Sequence, residues 1–445
     1  MAPTAFVRFR AGLLKSKRQI FCAAGIAAVA AAGLACLALF LPRTCLKESD
    51  ERPAFPLPPI PRLTNEICSA PAFDGVNEAV AAFLKKWRIN GASLAIAKDG
   101  RLLYARGFGY ADVEQKTAVT PGHVFRVASV SKLITATAVM KLVEEGRLGL
   151  DDKVFGSEGI LRDFVGCEIC DERALQITVR RLLEHSAGWD ASSGDDPMFM
   201  PHAIAGERHI PLPVSIRDIA CFVLSRPLHF EVGHHSEYSN FGYALLGYIV
   251  EKAAGVSCED YVREALLLPM GITNMRLGNS YPRDRYANET SYYDAPGAKP
   301  VAAFDNPLLY VPKCRGGYDM RTLGAAGGWV ASPIALLRFA LCIDGRPETP
   351  DILSPESVAE MVRSDSIFDP FGWRMTDERR WIRTGTLIGT SAAVVRDTSG
   401  WCWAFVTNTT SKKGADFPFE VEDMMQGVLH SMAASGQLTG SGKCE

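Results

Sequence analysis

Apolar positions along the chain recur in two periods, and each predicts its own kind of element. Val76, Val80, Phe83, Leu84 and Trp87 follow helical spacing, so residues 74–88 read as an amphipathic helix. Ala92 to Ala97 reads as a strand, Asp99-Gly100 as a two-residue hairpin turn and Arg101 to Ala111 as the return strand. Helical spacing resumes from Leu133 to Leu148, with Gly146 marking a C-cap, and again from Phe241 to Ala254. Strand character returns at Ser391 to Arg396 and Trp401 to Asn408, joined by the turn Asp397-Thr398-Ser399-Gly400, and residues 419–434 read as a closing helix. Sheet material at both ends, with a loop-rich, helical stretch of roughly 150–320 inserted between, predicts an α+β fold. Its expected form is an antiparallel β-sheet flanked by helices, an inserted mainly helical lobe, and a cleft between the two. A Rossmann unit is not expected, because it needs parallel strands and a glycine-rich turn.

The first 72 residues follow another pattern. Arg8, Arg10, Lys15, Lys17 and Arg18 precede an uncharged stretch from Ile20 to Leu41. Those 22 residues at about 1.5 Å each would cross a hydrocarbon core of roughly 30 Å. This predicts a cytoplasmic basic tail at 1–19 and one N-terminal transmembrane helix at 20–41. By the positive-inside rule the remainder lies outside the cytoplasm, in the periplasm of a bacterium. The alternative is a cleaved signal peptide, whose apolar region normally runs about 7–15 residues. Gly33-Leu34-Ala35-Cys36 is a poor lipobox. Pro53, Pro56, Pro58, Pro59 and Pro61 make 42–72 a stiff linker. A single folded domain is then expected over 73–435, with a flexible tail at 436–445.

Composition narrows the function classes. With 47% hydrophobic and 22% charged residues the chain can build a core. A net charge of −2 without a basic block beyond the first fifty residues gives nucleic acid no electrostatic footprint. Among the 12 cysteines, Cys167 and Cys170 form a lone C-x-x-C without a second pair or histidines at zinc-ligand spacing. They read as structural cysteines, and neither a metal nor a cofactor is expected. His234-His235 with Glu237 is not a zincin motif. Gly389-Thr390-Ser391-Ala392-Ala393 lies in strand rather than on a nucleophile elbow.

Three short segments carry candidate chemistry. In Ser129-Val130-Ser131-Lys132, residues i and i+3 share one helix face, so the lysine amine can reach the Ser129 hydroxyl. A serine hydroxyl needs such a partner to accept its proton. In Tyr238-Ser239-Asn240 a phenolate beside a cationic lysine can act as general base, and the amide can hold a substrate carbonyl or orient Lys132. Tyr286-Ala287-Asn288 repeats the Y-x-N pattern in a loop-like context. In Arg383-Thr384-Gly385-Thr386 a cation, a hydroxyl and a glycine precede a strand and could receive a carboxylate-bearing substrate. The Thr386 N–H, with that of Ser129, would form an oxyanion hole.

With these motifs in this order the chain resembles the serine β-lactamase and penicillin-binding-protein superfamily. The likeness points to its class C branch, which also holds D,D-peptidases and esterases. Phe125 to Val154 is similar to that family's nucleophile helix, and Val179 to Gly188 to its V-R-x-L-L-x-H-x-S-G segment. The resemblance spans roughly Phe73 to Asn408. It implies an acylated Ser129, proton transfer shared by Lys132 and Tyr238, and substrate contacts from Asn240, Arg383, Thr384 and Gly385. Arg383 stands where the family has Lys or His, and arginine does not give up its proton. The implied function is a membrane-anchored serine hydrolase acting on a small amide, ester or peptide, with cell-wall peptides and β-lactams among the candidates. A non-turnover sensor or scaffold on the same fold is the alternative.

Overall fold

The computed structural model describes residues 73–434 apart from 165, 192–195 and 365–366. These residues belong to one unit, Arg62–Glu445. In chain order they form helix α1 (Asp74–Trp87), strands β1 (Gly91–Lys98), β2 (Arg101–Asp112), β3 (Thr117–Ala118) and β4 (Phe125–Arg126), and helix α2 (Ser131–Glu144). Then come helices α3 (Val179–Leu183), α4 (Pro201–Arg208), α5 (Ile216–Leu224), α6 (Asn240–Ala254) and α7 (Cys258–Val262), and short strands β5 (Arg276–Leu277), β6 (Val301–Ala303) and β7 (Asn306–Val311). Helix α8 (Met320–Gly327), strand β8 (Trp329–Ala331) and helices α9 (Pro333–Leu341) and α10 (Pro355–Val362) follow. The chain then returns to the sheet with β9 (Met375–Thr376), β10 (Arg380–Leu387), β11 (Thr390–Asp397) and β12 (Trp401–Thr407), before helix α11 (Phe417–Ala434).

The main sheet is antiparallel, in the order β3-β2-β1-β12-β11-β10-β9. The hairpin between β1 and β2 turns on Asp99 and Gly100, both at positive φ (49° and 73°), the geometry that a tight two-residue turn matching strand twist requires. Alternation along each strand sorts side chains by size. Leu94, Ile96, Trp403 and Phe405 face α1 and α11 and pack with Val80, Phe83, Phe417 and Val421. Ala95, Ala97, Ala404 and Val406 face the other way, toward the larger core that includes α2, α6 and α9. The small residues on that face let α9 lie close to β1 and β12, so the sheet is buried on both sides.

A similar close approach sets the helical lobe. A Cβ placed on Gly247 of α6 would lie 2.4 Å from Ala325 Cβ of α8. Neither atom belongs to a flexible side chain, so Gly247→Ala is expected to destabilise the fold by about 1–3 kcal/mol. A lowered denaturant midpoint at unchanged slope would register it.

Three expectations need correcting or extending. The first is the N-terminal transmembrane helix. Residues 20–41 lie outside the described residues, as do the basic tail, the Pro-rich linker and the C-terminal tail at 436–445. Among the described residues no helix is long and apolar enough to cross a membrane. Helix α11, the longest of these at 18 residues, carries Glu420, Glu422 and Asp423 and lays its apolar side on the sheet. The anchor at 20–41, the membrane as a partner, and the periplasmic placement that followed from them are withdrawn. Second, a three-stranded sheet β4-β8-β5 was not anticipated, because strands of two or three residues leave no readable period. Third, Cys167 pairs with Cys221 of α5, while Cys170 is an exposed free thiol.

Candidate active site

Ser129 sits in a 3-10 turn, Ala128–Val130, that runs directly into α2. The turn is tied to the small sheet: Val127 N–H donates to Trp329 O (3.0 Å), and Trp329 N–H donates to Ser131 Oγ (3.1 Å). Ala128 is buried and has φ 47°, a left-handed conformation that costs an alanine on the order of 1–3 kcal/mol and persists only where its surroundings enforce it. Here the enforcement comes from β8 on one side and β10 on the other. An added Cβ on Gly385 would lie 2.2 Å from Val127 O and 2.8 Å from Ser129 N. Glycine is what lets β10 run this close to Ser129.

The three motifs converge on Ser129. Its Oγ is 2.7 Å from Tyr238 Oη and 3.4 Å from Lys132 Nζ. Lys132 is fully buried in α2, and its ammonium donates to Asn240 Oδ1 and to Ala326 O, each at 2.6 Å. Helix α8 is broken at Gly324 (φ 9°, ψ −96°), and two carbonyls beyond the break turn toward α2. Ala325 O accepts from Thr135 Oγ1 (2.7 Å) and Ala326 O from Lys132. The sequence gives no signal for a backbone acceptor of this kind.

The Y-x-N motif is a helix start. Tyr238 precedes α6, Ser239 is its N-cap and accepts the Gly242 N–H (3.1 Å), and Asn240 opens the helix. Tyr238 is backed by His185, whose ring lies 4.7 Å from its own, and His185 Nδ1 accepts the Ser239 N–H (3.1 Å). Burial, with Lys132, Arg383 and Arg374 nearby, holds the His185 pKa well below its ordinary value, so this imidazole stays neutral and acts as an acceptor. Asn240 Nδ2 donates to Asp196 Oδ2 at 2.7 Å. Asp196 was not among the sequence candidates. Asp196-Pro197 could be read as a turn start, which it is, but its contact lies 44 residues away.

Arg383 behaves differently from expectation. Its guanidinium is buried under the turn rather than presented as a carboxylate fork. Nε donates to Ser129 O (2.7 Å), Nη1 to Trp373 O (3.4 Å) and Nη2 to Tyr238 Oη (3.4 Å). Thr384, Gly385 and Thr386 follow it along the wall of a cleft of about 660 Å³ that reaches Ser129, Tyr238 and Asn240. Strand β9 pairs only with Trp381 and Ile382, so from Arg383 onward β10 borders the cleft without a strand on its outer side. The Thr386 hydroxyl is buried without a hydrogen-bond partner among the described residues. Phe199, Tyr318, Leu323 and Phe419 supply apolar surface, and Arg374 and Lys412 are exposed cations on the same cleft. The rival Y-x-N lies elsewhere: Tyr286 Oη donates to Leu277 O and Asn288 Nδ2 to Gly122 O.

Electrostatics couple the lysine to the tyrosine. Burial, helped by Arg383 and opposed by Tyr238 and Asp196, lowers the Lys132 pKa to about 8. Burial alone would raise the Tyr238 pKa, but Lys132 and Arg383 more than offset it and bring it to about 8. The two groups therefore exchange a proton near neutrality and titrate as a pair. A hydroxyl 2.7 Å from one of them can pass its proton to the pair while it attacks a carbonyl. Among the described residues no group of His, Cys, Asp or Glu is placed to hold a metal ion.

The comparisons with known proteins bear on the family and the fold. The family model described as Beta-lactamase matches residues 76–420. Protein flp of Staphylococcus aureus (strain N315) is 27% identical over 257 residues, which cover 56% of this chain and 47% of that protein. A penicillin-binding protein of Bacillus subtilis (strain 168) is 32% identical over 203 residues, covering 44% of this chain and 39% of its own length. The chain thus spans less than half the length of these curated relatives. In fold, it is similar to D-amino acid amidase from Ochrobactrum anthropi SV3 complexed with D-phenylalanine, with a TM-score of 0.63, 24% identity, and coverage of 82% of this chain and 100% of that one. The family match supports a serine-hydrolase-type enzymatic function, and with more than three quarters of its length matched the chain belongs to the beta-lactamase family.

Proposed function

We propose that the chain is a serine hydrolase of the class C-related, D,D-peptidase and esterase branch, working on a small amide, ester or peptide through an acyl-Ser129 intermediate. The observation that carries this reading is the contact of Ser129 Oγ with Tyr238 Oη at 2.7 Å, above a buried lysine. Ser129 Oγ attacks the substrate carbonyl as its proton passes to the Tyr238–Lys132 pair. The backbone N–H groups of Ser129 and Thr386 receive the developing oxyanion. The pair returns the proton to the leaving amine or alcohol, and water then enters by the same route to release the acid. Asn240, Thr384 and Gly385 line the side on which substrate lies, and Arg383 holds the Ser129 turn and stabilises the Tyr238 phenolate. A substrate carboxylate finds its cations in exposed Arg374 and Lys412 rather than in Arg383. The amidase named among the fold neighbours fits a small amide substrate.

The test is covalent labelling of the full chain. Fluorescent penicillin and p-nitrophenyl acetate are each expected to leave an adduct visible by intact mass, absent from Ser129→Ala. A label that survives in Ser129→Ala would remove Ser129 from its role. An adduct that persists for hours without turnover would favour a sensor over a hydrolase.

A further inference from the structure

Asn240 lies between two groups that determine which way its amide faces. Its Nδ2 donates to Asp196 Oδ2 (2.7 Å), and its Oδ1 accepts from Lys132 Nζ (2.6 Å). A carboxylate accepts only, and an ammonium donates only. Reversing the amide would set donor against donor and acceptor against acceptor. Asp196 is itself held: its Oδ1 accepts the Met198 N–H (3.0 Å) and caps the turn Pro197–Phe199. One carboxylate oxygen thus secures the local turn, and the other secures Asn240.

The consequence falls on Lys132. Two of its three ammonium protons go to Asn240 Oδ1 and Ala326 O, and the third direction leads to Ser129 Oγ. When Lys132 gives up a proton, the two remaining N–H groups keep those acceptors and the lone pair faces Ser129. That orientation requires Asn240 to present its oxygen. We propose that Asp196 is a positioning residue for the acyl-serine chemistry: it locks the Asn240 amide and, through it, aims the Lys132 amine at Ser129. The proposal rests on the hydrolase reading of the same site.

The charged and titratable groups around Lys132 give the sign of the test. Tyr238 faces it from the segment before α6, Arg383 from β10, His185 from the segment after α3, and Asp196 from the turn beyond Asn240. Tyr238 and Asp196 raise the Lys132 pKa, while burial and Arg383 lower it. Taking away the Asp196 charge therefore lets Lys132 deprotonate at lower pH.

The experiment compares the full chain with Asp196→Asn and Asp196→Ala. Lys132 is titrated directly by NMR of its ¹³Cε signal, assigned by its loss in Lys132→Met, and hydrolysis of p-nitrophenyl acetate is followed across pH. The Lys132 midpoint is expected to fall by roughly half a pH unit in both variants, and the acid limb of kcat/KM to move with it. In Asp196→Ala kcat falls about tenfold at little change in KM, because the amide is released. Asp196→Asn, whose side-chain oxygen still accepts from Asn240, loses no more than about threefold. An unmoved Lys132 midpoint in both variants overturns the proposal, as do equal kcat losses in the two. A wild-type chain without Ser129-dependent turnover would instead overturn the hydrolase reading.

Discussion

Lys132→Met is expected to lower kcat/KM for p-nitrophenyl acetate by about a hundred- to ten-thousandfold, the range associated with loss of a positioned general base. Methionine keeps most of the buried stem but removes the amine from its place 3.4 Å from Ser129 Oγ. The pH profile should change as well as the amplitude. In the wild type the reactive form carries one proton between Lys132 and Tyr238, so kcat/KM rises with pH as the fully protonated pair loses its first proton, near 8. Without Lys132, burial continues to push the Tyr238 pKa up, and only Arg383 and the Ser129 hydrogen bond remain to oppose it. The acid limb therefore moves to higher pH in the variant. Stopped-flow measurements of kcat/KM across the alkaline range read both effects. A large loss with an unmoved limb would indicate that Lys132 serves the fold more than the proton.

Gly385→Ala tests the other wall of the site. The new Cβ would meet only backbone: Val127 O at 2.2 Å, Ser129 N at 2.8 Å and Val130 N at 2.9 Å. No side chain can swing aside, so β10 must withdraw from the Ser129 turn. That shift displaces Thr386 relative to Ser129, the two residues whose N–H groups are assigned to the oxyanion. A loss of about 10²–10³ in kcat is expected, comparable to removing one oxyanion-hole donor. Overpacking adds a destabilisation of about 1–3 kcal/mol. Pre-steady-state acylation rates, with the unfolding midpoint measured in parallel, separate the two costs. A variant with normal acylation would show that the strand and the turn need not touch.

How much of this was legible follows from where the information lies. The helix at Asp74–Trp87 and the hairpin through Asp99-Gly100 announce themselves by period and turn chemistry, which are local. Ser129, Lys132, Tyr238, Asn240 and Gly385 stand out by spacing and by resemblance; four of them line one cleft, and Lys132 lies buried behind it, bonded to Ser129 and Asn240. What the sequence withheld is orientation. Arg383 was expected to face substrate, yet its guanidinium is spent on Ser129 O, Trp373 O and Tyr238 Oη, because the residue type does not reveal which acceptors burial will offer it. Ala326 contributes a carbonyl, which any residue could supply, and Asp196 a contact with Asn240, distant in sequence. The stretch at 20–41 is read from its length, its lack of charge and its basic flank, and the described residues supply no spanning helix in support.

The order of strands has a bearing on how the molecule comes to exist. β1 is flanked by β2, its immediate successor, and by β12, from which it is separated by about three hundred residues; the register joins Ala92 to Thr407. Closing so long a loop is entropically slow and waits for contacts distant along the chain. As the polypeptide leaves the ribosome, the β1–β2 hairpin has one edge open until β12 arrives. The strand that carries Gly385 belongs to that late group, reaching β1 only through β11 and β12. Ser129 therefore acquires its second wall only after β10, β11 and β12 have been made and have paired with β1, however early the segment that carries the serine has formed.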